Sequence, residues 1–264
     1  AYGDLVFQHD FAAGEKSATF TIEKTEAVAQ VFPPQAFARY VPERLDDFAW
    51  ENDKIGHRTY GPALAAPDEP KVGKEVLVTS GLDIWCKRVS YPIVDRWYNK
   101  GHDHYHKDEG EGMDMYQVGP SRGCGGVGIW DGQKLHVSRN YKAWKVVANG
   151  PIRAIFELTY DTWEAAAGVK VAEVKRFTVD AGHNLDQIES TFMVTGAKEI
   201  MVGIGLKSRQ PGGGTPDTKS WMYFPGEECP FYRVTYLSNY SPYMTPDKDT
   251  HYSFLCEVSQ SEFK

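Results

Sequence analysis

Hydrophobic positions along this chain recur every second residue far more often than every three or four. "RAIFELTY" sets Ala154, Phe156 and Leu158 on one face, with Arg153, Glu157 and Thr159 near the other. "GVKVAEVKRFTVD" runs similarly through Val169, Val171, Val174, Phe177 and Val179. "TFTI", "KLHVS", "QIESTFMV", "FYRVTYL" and "YSFLCEV" read as further short strands. Gly, Pro, Asn and Asp separate them. The Asp131-Gly132 step between apolar flanks predicts a hairpin turn. Helical spacing is scarce. "PERLDDFAWEND" (42–53) predicts one short helix opened by Pro42, and "TWEAAAG" (162–168) at best one turn within a loop. Many short strands with regular turns predict an all-β fold, a large antiparallel β-sandwich with few helices.

Two segments depart from this rhythm. Residues 95–128 carry almost no periodicity and are rich in Gly, His and acids, which predicts a long functional loop. Trp97, Tyr98, Tyr105, Tyr116 and Trp130 argue against disorder there. "RQPGGGTPDTKS" (209–220) reads as a turn-rich connector, followed by a Tyr-, Phe- and Pro-dense tail. The expected division is therefore a sandwich over 1–208 and a connector with different strands over 209–264.

Composition narrows the function classes. The 264 residues carry a net charge of −7, which disfavours nucleic-acid partners. No apolar run approaches the roughly 18–20 residues of a membrane helix, so no membrane insertion is expected. The first residues show no signal peptide, as a cleaved mature form also would not. Cys86, Cys124, Cys229 and Cys256 form no CxxC pair, which leaves buried thiols or up to two disulfides.

"GHDHYHKDEGEGMDMY" (101–116) is the richest segment. It crowds His102, His104 and His106 with Asp103, Asp108, Glu109, Glu111 and Asp114. Close carboxylates raise one another's pKa, and imidazoles among them gain proton affinity, a setting for acid–base chemistry. In a strand the three His would share a side, where His102 and His104 could hold a divalent metal with a carboxylate. "GCGGVG" (123–128) matches GxGxxG, but "IWDGQKLHVS" after it predicts a hairpin rather than the helix a dinucleotide site needs. The expected role is a tight turn, with Arg122 beside it as an anion-binding group. "FAWENDKIGHRTYGP" (48–62) supplies Trp50, Asn52 and Arg58, suited to stacking on and hydrogen-bonding a sugar, with Trp85, Trp97 and Trp130 as further platforms.

Residues 39–60, 80–98, 105–138, 141–160 and 173–192, including "RYVPERLDDFAWENDKIGHRTY" and "YHKDEGEGMDMYQVGPSRGCGGVGIWDGQKLHVS", resemble one bacterial family. It is a numbered domain of unknown function, family 4861, of carbohydrate-utilisation gene clusters, and the likeness covers about residues 1–206. The resemblance implies a galactose-mutarotase-like sandwich, a carbohydrate-related role and a periplasmic or secreted setting. Polar positions within the matching motifs are Trp50, Glu51, Asn52, Asp53, Arg58, His106, Asp108, Glu111, Asp114 and Arg122. The tail (221–264) is similar to a stretch of eukaryotic-type UDP-galactopyranose mutase, with Tyr223 at a substrate-contacting position. The flavin fingerprint is absent, so no FAD is expected and the chain reads as a chimera.

These readings converge on a carbohydrate-active enzyme for uronate-containing poly- or oligosaccharides, by β-elimination or hydrolysis, needing no cofactor beyond a conceivable divalent metal. His106 is expected as base or acid with Asp108, Glu111 or Asp114. Arg58, Arg122 and Asn52 are expected on the uronate, and Trp50, Trp97 and Tyr105 on the sugar. The alternatives are a non-catalytic sugar-binding sandwich and an inactive chimera.

Overall fold

The computed structural model describes residues 5–24, 31–65 and 77–206, together with three short strands of the tail. The chain divides into two compact units, 1–206 and 207–264. In the first unit the strands, in chain order, are β1 (Ala36–Val41), β2 (Asp47–Asn52), β3 (Ile55–Thr59), β4 (Asp83–Lys87), β5 (Gly112–Met113) and β6 (Cys124–Trp130). They continue as β7 (Leu135–His136), β8 (Ala143–Asn149), β9 (Arg153–Ala166), β10 (Val169–Asp180), β11 (Gln187–Thr195) and β12 (Met201–Leu206). The helices are α1 (Pro62–Ala65), α2 (Val94–Lys100) and α3 (His102–Tyr105).

The strands build antiparallel sheets ordered β1-β2-β3-β4-β5, β11-β10-β9-β8 and β12-β6-β7. The first two pack face to face. Ala38, Phe48 and Trp50 from one meet Phe156, Leu158, Tyr160, Phe177 and Val179 from the other in a shared core. The fold is thus an all-β, sandwich-like arrangement, as the alternation predicts. Ala154, Phe156 and Leu158 do share the buried face of β9. The tail strands β13 (Trp221–Tyr223), β14 (Arg233–Tyr236) and β15 (Phe254–Glu257) pair with one another. Among the described residues no helix is long and apolar enough to cross a membrane.

Three local expectations are corrected. Residues 42–53 are not a helix: a single 3-10 turn at Pro42–Arg44 ends at Leu45 and Asp46, which adopt positive φ of 53° and 63°, and β2 follows. All six β2 residues are buried because both faces of its sheet are covered, so polarity does not alternate and the period is hidden. Residues 162–166 extend β9, with the turn only at Ala167-Gly168, where Gly168 takes φ 76°. "TFTI" (19–22) forms no strand.

The 95–128 stretch is structured rather than a long loop. It contains most of α2, then α3, β5 and the start of β6. Glu51 of β2 explains the helix: its carboxylate accepts from Ile93 N at 2.9 Å and Val94 N at 2.8 Å, while Lys87 Nζ donates to it at 2.7 Å. A carboxylate 42 residues upstream thus supplies the first turn's missing acceptor. The buried faces of α2 and α3 then cover the outer side of the first sheet. Trp97, Tyr98 and Tyr105 pack there against Trp85 and Ala49.

Candidate functional site

The site grows from β3. Strand pleating sends His57 and Arg58 to opposite faces of the first sheet. Arg58 enters the helix-covered side and is only 3% exposed. Its Nε donates to Asp83 Oδ2 at 2.8 Å and its Nη2 to Asp114 Oδ2 at 2.8 Å, with Asp47 Oδ2 at 3.7 Å. Tyr60, Trp85 and Tyr105 present their rings to its guanidinium, each centroid 5.4 Å away. Burial alone would lower the Arg58 pKa, but Asp83 and Asp47 outweigh it and hold it well above the ordinary value. Burial pushes Asp47 and Asp114 up to about 6, against the pull of Arg58.

Asp114 connects this interior to the surface. His106 is 39% exposed at its side chain, and its Nδ1 lies 3.1 Å from the Asp114 carbonyl oxygen and 3.5 Å from Asp114 Oδ2. A carbonyl only accepts, so Nδ1 carries the hydrogen and the neutral ring offers its lone pair at Nε2. His102 stands edge-on to the His106 ring at 4.6 Å, and Tyr105 lies beside it at 4.7 Å.

Four predicted residues therefore come together: Arg58, Tyr105, His106 and Asp114. Trp97 and Glu111 meet separately, through an indole-to-carboxylate hydrogen bond of 3.2 Å. Glu111 is desolvated, which raises it, but Tyr91, Arg96 and Trp97 outweigh this and hold it below its usual range. Asp108 is capped by Gly110 N and paired with Arg88, and is also held low. His102 and His104 sit on α3 rather than a strand, so they do not share a side. His102 faces Asp103 and His104 faces Glu109. Among the described residues no group of three or more His, Cys, Asp or Glu could hold a metal ion.

Of the expected sugar platforms, Trp50, Trp85, Trp97 and Tyr105 are core residues, whereas Trp130 at the end of β6 is 40% exposed. Trp50 is 1% exposed, lies 5.3 Å from the His57 ring, and donates to Asp186 Oδ2 at 2.6 Å. Trp97 and Tyr105 are equally enclosed. Asn52 ties the hairpin after β10 to β2 through the Asp180 and His183 carbonyls at 2.6 and 2.7 Å. Trp50, Trp85, Trp97 and Tyr105 offer no face to a sugar ring in this arrangement. Arg122 lies elsewhere, donating to Ser80 Oγ at 2.8 Å and Thr79 Oγ1 at 3.4 Å. The GxGxxG run leads into β6, and Gly123 holds φ 61° against the Leu82 carbonyl, where a side chain would clash.

Sequence reasoning missed Glu173 and Lys175. Both point into the sandwich from β10, fully buried, where the Lys175 ammonium contacts the Glu173 carboxylate. Strict i+2 counting back from Val179 and Phe177 would have placed them inward. Val174 lies on the opposite, partly exposed face of β10, so the run through Val171 and Val174 breaks parity.

The sequence profile of the family described as "Domain of unknown function (DUF4861)" matches residues 1–228. The chain belongs to this family. The DUF4861 match runs past the first unit and takes in the Gly/Pro connector and "WMYFPGEE". Among curated proteins, "Uncharacterized protein P7" of Formosa agariphila is 39% identical over 173 residues, 64% of this chain. That stretch is 43% of the relative's own length, so the chain spans under half of it. No solved structure matches.

Proposed function

We propose that this chain is an acid–base enzyme acting on uronate-containing saccharides, with His106 moving the proton. The observation that carries the reading is the line from His106 to Asp114 to Arg58. A surface imidazole is backed by a buried carboxylate, which a buried guanidinium fixes in turn. Such backing orients the ring and stabilises the imidazolium formed when Nε2 takes a proton. The saccharide class follows from the family resemblance and its carbohydrate setting.

Among the chemistries open to such a site, β-elimination is favoured over hydrolysis by two carboxylates. Hydrolysis needs a surface carboxylic acid that stays protonated near neutrality. Asp108 and Glu111 are held low by their cations and amide donors, so they stay ionised. Asp114 is raised to about 6, but it is buried behind His106. In an elimination, His106 Nε2 removes the proton on the carbon bearing the uronate carboxylate. The C–H electron pair becomes the carbon–carbon double bond as the adjacent bond to the glycosidic oxygen breaks, and that oxygen takes back the proton from the His106 imidazolium. Arg58 is committed to its carboxylates. Exposed Lys107, next to His106 in the chain, is the cation suited to the uronate.

The test is ultraviolet absorbance of unsaturated uronate ends on a panel of uronate polysaccharides. His106→Gln is expected to lower turnover by roughly 10²- to 10⁴-fold with an unchanged melting curve. Full turnover in that variant would remove His106 from the chemistry. New reducing ends without absorbance would turn the reading to hydrolysis.

A further inference from the structure

Between the sheets lies a second polar cluster that the His106 chemistry does not use. Arg122 is 7% exposed, yet its hydrogen bonds go to the hydroxyls of Ser80 and Thr79, and among the described residues no carboxylate lies within salt-bridge distance. Lys175 and Glu173 are fully buried beside it, and Lys175 Nζ sits 4.7 Å above the Tyr160 ring. Two cations thus share one carboxylate in a closed interior, and an excess buried charge is costly unless an anion compensates it. Two further atoms point the same way. Among the described residues, the Tyr160 hydroxyl and Glu173 Oε2 are buried with no hydrogen-bond partner.

The unmet needs differ in kind. The Arg122 guanidinium calls for an anion, the Tyr160 O–H for an acceptor, and Glu173 Oε2 for a donor. Acetate-like anions supply no donor, and neutral sugars supply no charge. We propose that Arg122, Lys175, Tyr160 and Glu173 form a binding site for a small hydroxy-carboxylate. Its carboxylate meets Arg122 and Tyr160, and its neighbouring hydroxyl donates to Glu173. Burial lowers the Arg122 pKa and brings Lys175 down to about 8, the signature of cations short of negative partners.

Edge strand β12 closes the site. A methyl group at Gly205 would stand 2.4 Å from Arg122 Cβ, so the strand lies directly on that side chain. Among the described residues β12 pairs only with β6, and displacing this singly held edge gives a ligand its route.

The test is a ligand-observed NMR titration of the full chain at constant ionic strength with glycolate, acetate and inorganic phosphate. Glycolate is expected to bind saturably, and acetate about tenfold or more weakly, for want of the hydroxyl. Tyr160→Phe removes only the unpartnered hydroxyl, so it should fold normally and weaken glycolate about tenfold. Arg122→Gln should abolish binding. Absence of saturable glycolate binding overturns the proposal, as does unchanged affinity in Tyr160→Phe. Phosphate binding as tightly as glycolate overturns the hydroxy-carboxylate assignment. Because the readout is binding without turnover, it stands or falls apart from the His106 reading.

Discussion

Two buried arginines in one unit are treated in opposite ways. Arg58 meets Asp83, Asp114 and Asp47 and three aromatic rings, whereas Arg122 meets two hydroxyls. Burial acts on both, but it prevails only at Arg122, whose pKa falls while that of Arg58 rises. A saturated cation is structural and can orient a neighbour, here Asp114 behind His106. A cation short of anions is a group still open to a ligand. Charge and burial alone do not separate these cases; the inventory of partners does.

The sharpest way to break this comparison is to delete each cation. Arg58→Ala should cost about 3–5 kcal/mol in denaturant unfolding, because Asp83, Asp114 and Asp47 are left buried without their counter-ion. Arg122→Met removes a charge that has no ion pair among the described residues, so its cost should fall within about 1–2 kcal/mol. Equal losses in the two variants would erase the distinction.

A smaller effect sharpens it through pH. Asp47 and Asp114 titrate near 6 in the folded protein, above the unfolded carboxylate value. The folded state therefore binds their protons more tightly. Their contribution to stability is greatest at low pH and is lost as pH rises through about 6. Melting temperature should rise as pH falls from neutrality toward 5, and Asp114→Asn should flatten that slope. A slope of opposite sign would contradict the burial of these carboxylates. The smallest effect is expected at the surface. Arg88→Ala breaks the exposed pair with Asp108 and should leave the unfolding midpoint unchanged, because solvent screens both charges.

Where one face of a strand is buried and the other wet, the sequence was readable. β9 declares itself through Ala154, Phe156 and Leu158, and the Asp131-Gly132 turn through its own chemistry. Where both faces are buried, as in β2, polarity no longer alternates and a strand passes for a helix. α2 was invisible for another reason: its start depends on Glu51, a partner distant in sequence. The candidate site was legible in part. His106, Asp114 and Arg58 carry suggestive chemistry in their segments, and the fold brings them together. Trp50 and Trp97 carry equally suggestive side chains, yet the fold encloses them.

The sequence by itself determined the all-β character, the family, and which residue types are available for proton transfer and anion binding. These follow from local periodicity and side-chain chemistry, which need no partner. Only the tertiary structure decided which arginine is saturated, which histidine keeps an open nitrogen, and that Glu173 and Lys175 share a closed interior. Those outcomes depend on desolvation and on contacts between residues far apart in the chain, such as Arg58 with Asp114, 56 positions away.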